Sequence, residues 1–228
     1  MPTISVVIPL YNGARYIAAA VESVLAQTLP ATQILVVDDG STDASVAVVA
    51  AYAPRVTLLQ TPHGGANRAR NLGVAAATGH FLAFLDADDL WTPEKLACQV
   101  DFWRANPTVE ILFGWAQQFV SPELSAQDRT QLKVAEAPMP AQVAGTMLTT
   151  QAVWQKVGPF QPELAMGDVL DWVARAQEAR LHIVTLDKVF LRRRIHLDNM
   201  TRRLQADRRA YARVLKAALD RRRAQVNL

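Results

Sequence analysis

Short apolar runs alternate with amphipathic stretches through the first hundred residues. Ile4-Ser5-Val6-Val7-Ile8 is a nearly continuous apolar run, as a strand buried on both faces would be. Ala14 to Gln27 follows with Ile17, Val21, Val24 and Leu25 on one helical face. Ile34–Val37, Val56–Leu59 and Phe81–Leu85 read as further strands. Ser41-Thr42-Asp43 offers N-cap chemistry for a second helix, and Ala66 to Ala77 reads as a third. Thr92-Pro93-Glu94 opens a fourth, with Thr92 as cap and Pro93 in its first turn. This alternation predicts an α/β fold, a mostly parallel sheet with helices on both faces and right-handed crossovers.

Beyond residue 107 the periodicity loosens. Val109 to Val120 reads as a strand or strand pair, and 121–144, polar and proline-containing, as a long loop or lid. Short helices are expected at 152–157 and 168–180, and late strands at 183–186 and 189–191. A final helix over 201–223 sets Leu204, Tyr211, Leu215 and Leu219 on one face and Arg202, Arg209, Arg213 and Lys216 on the other.

Half of the 228 residues are apolar and a fifth are charged, the composition of a folded globular chain. A single cysteine excludes an internal disulfide framework. No apolar run reaches the roughly 18 residues a membrane span needs, and no signal-peptide pattern opens the chain, so a cytoplasmic location is expected. Residues 188–228 carry thirteen Lys and Arg against three acids, whereas the remainder carries eleven against eighteen. A basic end on an acidic body suits an anionic partner. Nucleic acid is not expected, because aromatics are sparse there and no binding-module signature occurs. Peripheral contact with an anionic membrane through the final helix is the form of that contact considered instead.

Polar and acidic residues gather after three of the strands: Pro9-Leu10-Tyr11-Asn12, Asp38-Asp39-Gly40-Ser41 and Asp86-Ala87-Asp88-Asp89. In open α/β sheets ligands bind at that edge. Three carboxylates within four residues repel one another, and Mg²⁺ or Mn²⁺ would relieve the repulsion, with phosphates and water completing its shell; an acidic turn ahead of a helix is the plainer alternative. Asp38 and Asp39 can accept hydrogen bonds from a base N–H or ribose hydroxyls, or simply shape a turn. Gly64-Gly65 before a helix carrying Arg68 and Arg70 suits an anion, although neither Walker nor Rossmann spacing is present. Arg192-Arg193-Arg194 beside His196 could meet phosphate or metal, or form a solvated strand edge.

Ser5 to Asn12, Val37 to Asp43, Ala69-Arg70-Asn71-Leu72-Gly73 and Leu85 to Asp89, in this order and at this spacing, resemble the motif series of family 2 glycosyltransferases. The resemblance is strong over 3–107 and weaker over 145–200. It implies a GT-A fold, Rossmann-like with a C-terminal acceptor-side extension, and metal-dependent inverting transfer from a nucleotide-diphospho-sugar, most commonly a UDP-sugar, to an acceptor hydroxyl that the sequence does not identify. It further implies a nucleotide-sugar-binding half at 1–107 and an acceptor-side half at 108–200, with the basic C-terminal helix segment, 201–228, following them. Matched by position, Pro9, Tyr11 and Asp39 hold base and ribose, Arg70 and Arg194 lie near the diphosphate, Asp86 faces ribose and sugar, and Asp88 and His196 ligate Mn²⁺ or Mg²⁺.

The chain departs from the family pattern at the acceptor-side base. Counting from Gly158-Pro159-Phe160, Asp168 stands where the family has Glu, Val169 where it has its usual catalytic Asp, and Asp171 at a third acidic position. Asp168, at a helix start, is the expected base and Asp171 the alternative. Val169 also motivates a second possibility, a nucleotide-sugar-binding protein without catalysis.

Overall fold

The computed structural model of the chain describes residues 2–164 and 166–199, and beyond them Lys216 and Arg221. The elements run β1 (Ile4–Leu10), α1 (Ile17–Leu25), β2 (Gln33–Asp38), α2 (Ser45–Ala50), β3 (Thr57–Gln60), α3 (Ala66–Ala75), β4 (Phe81–Phe84), β5 (Leu90–Trp91) and α4 (Lys95–Ala105). They continue with β6 (Ile111–Val120), α5 (Ala126–Thr130), β7 (Met139–Ala141), β8 (Leu148–Thr150), α6 (Gln151–Val157), α7 (Asp168–Glu178) and β9 (Ile183–Ile195). The final helix expected over 201–223 lies outside the described residues apart from Lys216 and Arg221, both helical.

One sheet runs in the order β3-β2-β1-β4-β8-β6-β9-β5, with β7 added beside β6. The first four strands are parallel, as the alternation predicts. Beyond β4 the sheet is mixed: β8 is antiparallel to β4 and β6, and β9 runs parallel to β6 but antiparallel to β5. The two late strands expected at 183–191 are one strand of 13 residues that also carries the arginine run, with register shifts around Trp115. The stretch expected as a loop at 121–144 contains α5 and β7.

Successive β1 side chains point to opposite faces and feed two cores. Val6, Ile8 and Leu10 pack with Ile17, Val21 and Val49 from α1 and α2, while Val7 packs with Ala69, Phe84, Trp154 and Trp172 on the α3, α6 and α7 side. Phe84, Trp154, Phe160 and Trp172 form an aromatic cluster, with centroids 5.6 Å apart for Phe84–Trp154, 5.0 Å for Trp154–Phe160 and 5.7 Å for Trp154–Trp172. Such pairs contribute about 1 kcal/mol each beyond their area. The cluster seats α7 on the sheet, and Trp172 Nε1 also donates to Gly158 O at 2.9 Å.

Two expected caps are used differently. Ser41 Oγ accepts from Asn12 N, and Thr42 N donates to Asn12 Oδ1, so both residues tie the β1 and β2 loops together rather than capping α2. Pro93 lies ahead of α4, whose N-cap is Glu94.

Candidate active site

The loops after β1, β2 and β4 meet at one sheet edge. Asp39 N donates to Leu10 O at 2.7 Å, and a Cβ on Gly13 would lie 3.7 Å from Ala87 in the acidic turn. Pro9 lies at the end of β1, buried and paired in register with Val37. Tyr11 is 49% exposed. Asp39 is buried, and its carboxylate accepts from Gly64 N and Gly65 N at 2.8 Å each. It therefore fixes the glycine loop, and Gly65 with φ +92° relies on glycine's access to left-handed backbone.

Arg70 is the junction of the site. Its Nη2 donates to Asp86 Oδ1 at 2.6 Å, and its Nη1 to Asp168 Oδ2 at 3.0 Å and Asn67 Oδ1 at 2.8 Å. Its buried Nε has no partner among the described residues. The same helix face fastens the loop ahead of α7: Asn67 Nδ2 donates to Gln161 O and Leu164 O, and Asn71 exchanges two bonds with Phe160. Asn67 and Asn71 were readable at i, i+4 around Arg70, but only the fold shows what they bind.

Gly167, at φ +78°, turns the chain into α7 and sets Asp168 at its first position. Val169, Trp172, Val173 and Ala176 form the buried stripe, leaving Asp168 facing Arg70. Burial raises the Asp168 carboxyl above its ordinary value; Arg70 opposes the shift and Asp86 adds to it. Asp171, one turn on, is turned away. It is 2% exposed, accepting from Arg175 Nε at 2.9 Å and Arg221 Nη1 at 3.1 Å. Asp168, Arg70, Asp86 and Asp89 line one cavity of about 370 Å³, with Val143, Val169 and Leu170 among its apolar walls.

Asp88 lies on the other side of the same turn. Its Oδ2 is 3.0 Å from His196 Nε2 and accepts from Asn199 Nδ2 at 3.2 Å. Asp198 N donates to His196 Nδ1 at 3.2 Å, so the ring proton belongs on Nε2 and points at Asp88. Arg194 donates through Nε to Asp88 O and through its backbone N to Asp89 Oδ1. Its guanidinium lies 5.1 Å from the Tyr16 ring centroid and 4.8 Å from that of Phe119. Asp89 is buried, which pushes its carboxyl well above the usual range, with Asp88 and Asp86 adding to the shift.

Among the described residues no group of three or more His, Cys, Asp and Glu side chains could hold a metal ion by itself. Asp88, with its side chain 33% exposed, and Asp86, 42% exposed, nevertheless suit a hard cation that keeps water and phosphate as its other ligands. His196 fits that role less well: its Nε2 proton would have to leave before a cation could take the nitrogen.

Parallel strands ending in acidic turns, a glycine loop before α3 and a mixed second half carrying a carboxylate opposite the turn define a GT-A fold. The chain belongs to glycosyl transferase family 2, whose family model matches residues 5–153. An uncharacterized glycosyltransferase of Rickettsia typhi is 29% identical over 175 residues, covering 72% of this chain and 55% of that protein. The chain thus spans about half the length of that relative. Among solved structures, S. aureus TarS 1-349 in complex with UDP-GlcNAc superposes with TM-score 0.69 and 22% identity, covering 87% of this chain and 60% of that one. Mannosyltransferase PcManGT from Pyrobaculum calidifontis, in complex with GDP-Man and Mn2+, superposes with TM-score 0.71 and 21% identity, covering 94% and 64%.

Proposed function

We propose that the chain carries the catalytic site of an inverting glycosyltransferase, with a nucleoside-diphospho-sugar as donor and a hydroxyl as acceptor. The observation that carries this is the Arg70 bridge, which joins Asp86 of the donor-side turn to Asp168 across one cavity. Complexes of the structural neighbours with UDP-GlcNAc and with GDP-Man and Mn2+ support a donor of this class. Tyr11 and Asp39 are assigned to the base and ribose, and Arg70 and Arg194 to the diphosphate side. Asp86 and Asp88 would hold a divalent cation, with His196 steadying Asp88 through its Nε2–H. When bound, such a cation would neutralise charge on the diphosphate.

In this scheme Asp168 accepts the proton of the acceptor hydroxyl. The acceptor oxygen bonds to the sugar C1 as the bond from C1 to the phosphate oxygen breaks, and nucleoside diphosphate leaves. A carboxyl raised by burial and held by Arg70 is a stronger base than an ordinary aspartate. Asp171, enclosed by Arg175 and Arg221, is assigned to holding α7.

The test uses the chain with Mn²⁺ and a panel of UDP- and GDP-sugars, reading nucleoside diphosphate release in the presence of cell extract as acceptor source. Asp168→Asn should retain nucleotide binding and lose acceptor-dependent turnover. Asp88→Ala should lose the Mn²⁺-dependent part of nucleotide binding. Val169, buried at the family's usual base position, favours a second reading, binding without transfer. That reading holds if nucleotide binds but no panel member turns over.

A further inference from the structure

Tyr11 and His63 are both exposed rings, yet they stack on each other, with centroids 4.1 Å apart and planes 28° from parallel. The same imidazole places Nδ1 2.9 Å from Asp39 Oδ2, although the His63 side chain is 57% exposed and that of Asp39 only 3%. His63 thereby covers a flat face of Tyr11 and the edge of the Asp39 carboxylate, the two surfaces a nucleobase with a ring N–H would use at this position, while its Nδ1 also bonds to Asp39 O at 3.1 Å. Two rings cannot occupy the same face of Tyr11 and the same edge of Asp39 together.

Apart from the bond between Nδ1 and Asp39 O, the backbone around His63 is held without its ring. Gly64 N and Gly65 N each hold Asp39 at 2.8 Å, and the left-handed Gly40 lies so close that a Cβ there would sit 2.9 Å from His63 N. The loop is held by the Asp39 carboxylate on Gly64 N and Gly65 N and by the close approach of Gly40, so the imidazole can swing into solvent while the loop stays in place.

We propose that His63 is a placeholder in the nucleobase berth: its ring occupies Tyr11 and Asp39 in the free protein and leaves when the donor's base enters, so that it sets donor affinity. This rests on the assignment of Tyr11 and Asp39 to the base. Only the fraction of molecules with the ring swung out is competent to bind, and the apparent affinity is reduced by that fraction. A stacked aromatic pair with one exposed hydrogen bond predicts a reduction of about three- to tenfold.

Calorimetric titration of UDP with Mn²⁺ into wild type and His63→Ala tests the proposal, with GDP as a parallel arm and His63→Ser as a second variant. Binding about three- to tenfold tighter in both variants is expected. Equal or weaker binding overturns the placeholder and leaves the donor site standing, because the ring would then be a bystander or a platform under the base. If neither UDP nor GDP binds wild type or variants, the donor-site assignment fails and the placeholder with it. NMR of the wild-type protein supplies a readout free of mutation: Tyr11–His63 ring contacts should vanish at saturating UDP. Their persistence in the UDP complex overturns the proposal.

Discussion

Replacing Arg70 by methionine tests the contact on which the site depends. The Arg70 side chain is 7% exposed and that of Asp168 19%, so their 3.0 Å bond lies largely out of water. Breaking a buried pair by removing one partner costs about 3–5 kcal/mol. The Asp86 contact adds little, because that side chain is 42% exposed and re-solvates. A loss of about 3 kcal/mol lowers the melting temperature of a chain this size by about 6–12 °C. Asp168→Asn alone should cost less, since Arg70 keeps Asp86 and Asn67, and the double variant should show a coupling of about 1.5–3 kcal/mol. The pH dependence has a definite sign. Burial raises the folded Asp168 above its unfolded value, so the folded state binds more protons between the two, and stability falls as pH rises through that window. Removing Arg70, which opposes the shift, widens the window upward, so Arg70→Met should lose more stability at alkaline than at acid pH. Urea unfolding of the four proteins across pH reads all of this. Additivity within about 0.5 kcal/mol would refute the coupling between Arg70 and Asp168.

If Asp168 is the base, turnover should fall on the acid side with a midpoint above the ordinary aspartate value of about 3.9, measured as kcat/KM against pH; a midpoint at or below it counts against the assignment. Three consecutive carbonyls, Gly145 O, Thr146 O and Met147 O, accept from Trp91 Nε1 at 2.7 Å, Gln99 Nε2 at 2.8 Å and Lys95 Nζ at 3.3 Å, pinning the segment beside the cavity. Gln99→Leu strands Thr146 O and removes Oε1, the 2.7 Å partner of the fully buried Lys95 Nζ, leaving that nitrogen the longer bond to Met147 O, and should cost about 2–4 kcal/mol by urea unfolding. Gly73→Ala would place a Cβ 2.3 Å from Val7 Cγ1 where α3 crosses β1, and should cost about 1–3 kcal/mol in the same assay.

The parallel half was legible because each strand there announces itself locally. Ile4–Ile8 and Phe81–Phe84 are apolar runs buried on both faces, and α1 between them carries a single apolar stripe. The mixed half was not legible for a different reason. β5 and β8 have two and three residues, too short to show any period, and exist only because β9 and β4 offer them partners. The arginines of β9 read either as a phosphate or metal contact or as a solvated strand edge; the strand lies between β6 and β5, and the Arg194 side chain is buried against Tyr16 and Phe119.

The motif residues and their order along the chain belong to the sequence alone, because loop chemistry at strand ends is written in adjacent residues. Which carboxylate meets which partner was decided in three dimensions. Asp168 and Asp171 are three residues apart on one helix, yet the first faces Arg70, 98 residues away in the chain, and the second is enclosed by Arg175 and Arg221. Likewise His63, unremarkable in the loop sequence, lies on Tyr11 and Asp39 only because β1 and β2 end side by side. Long-range pairing leaves no local trace in composition or period, so only packing selects among residues that the chain presents as equivalent.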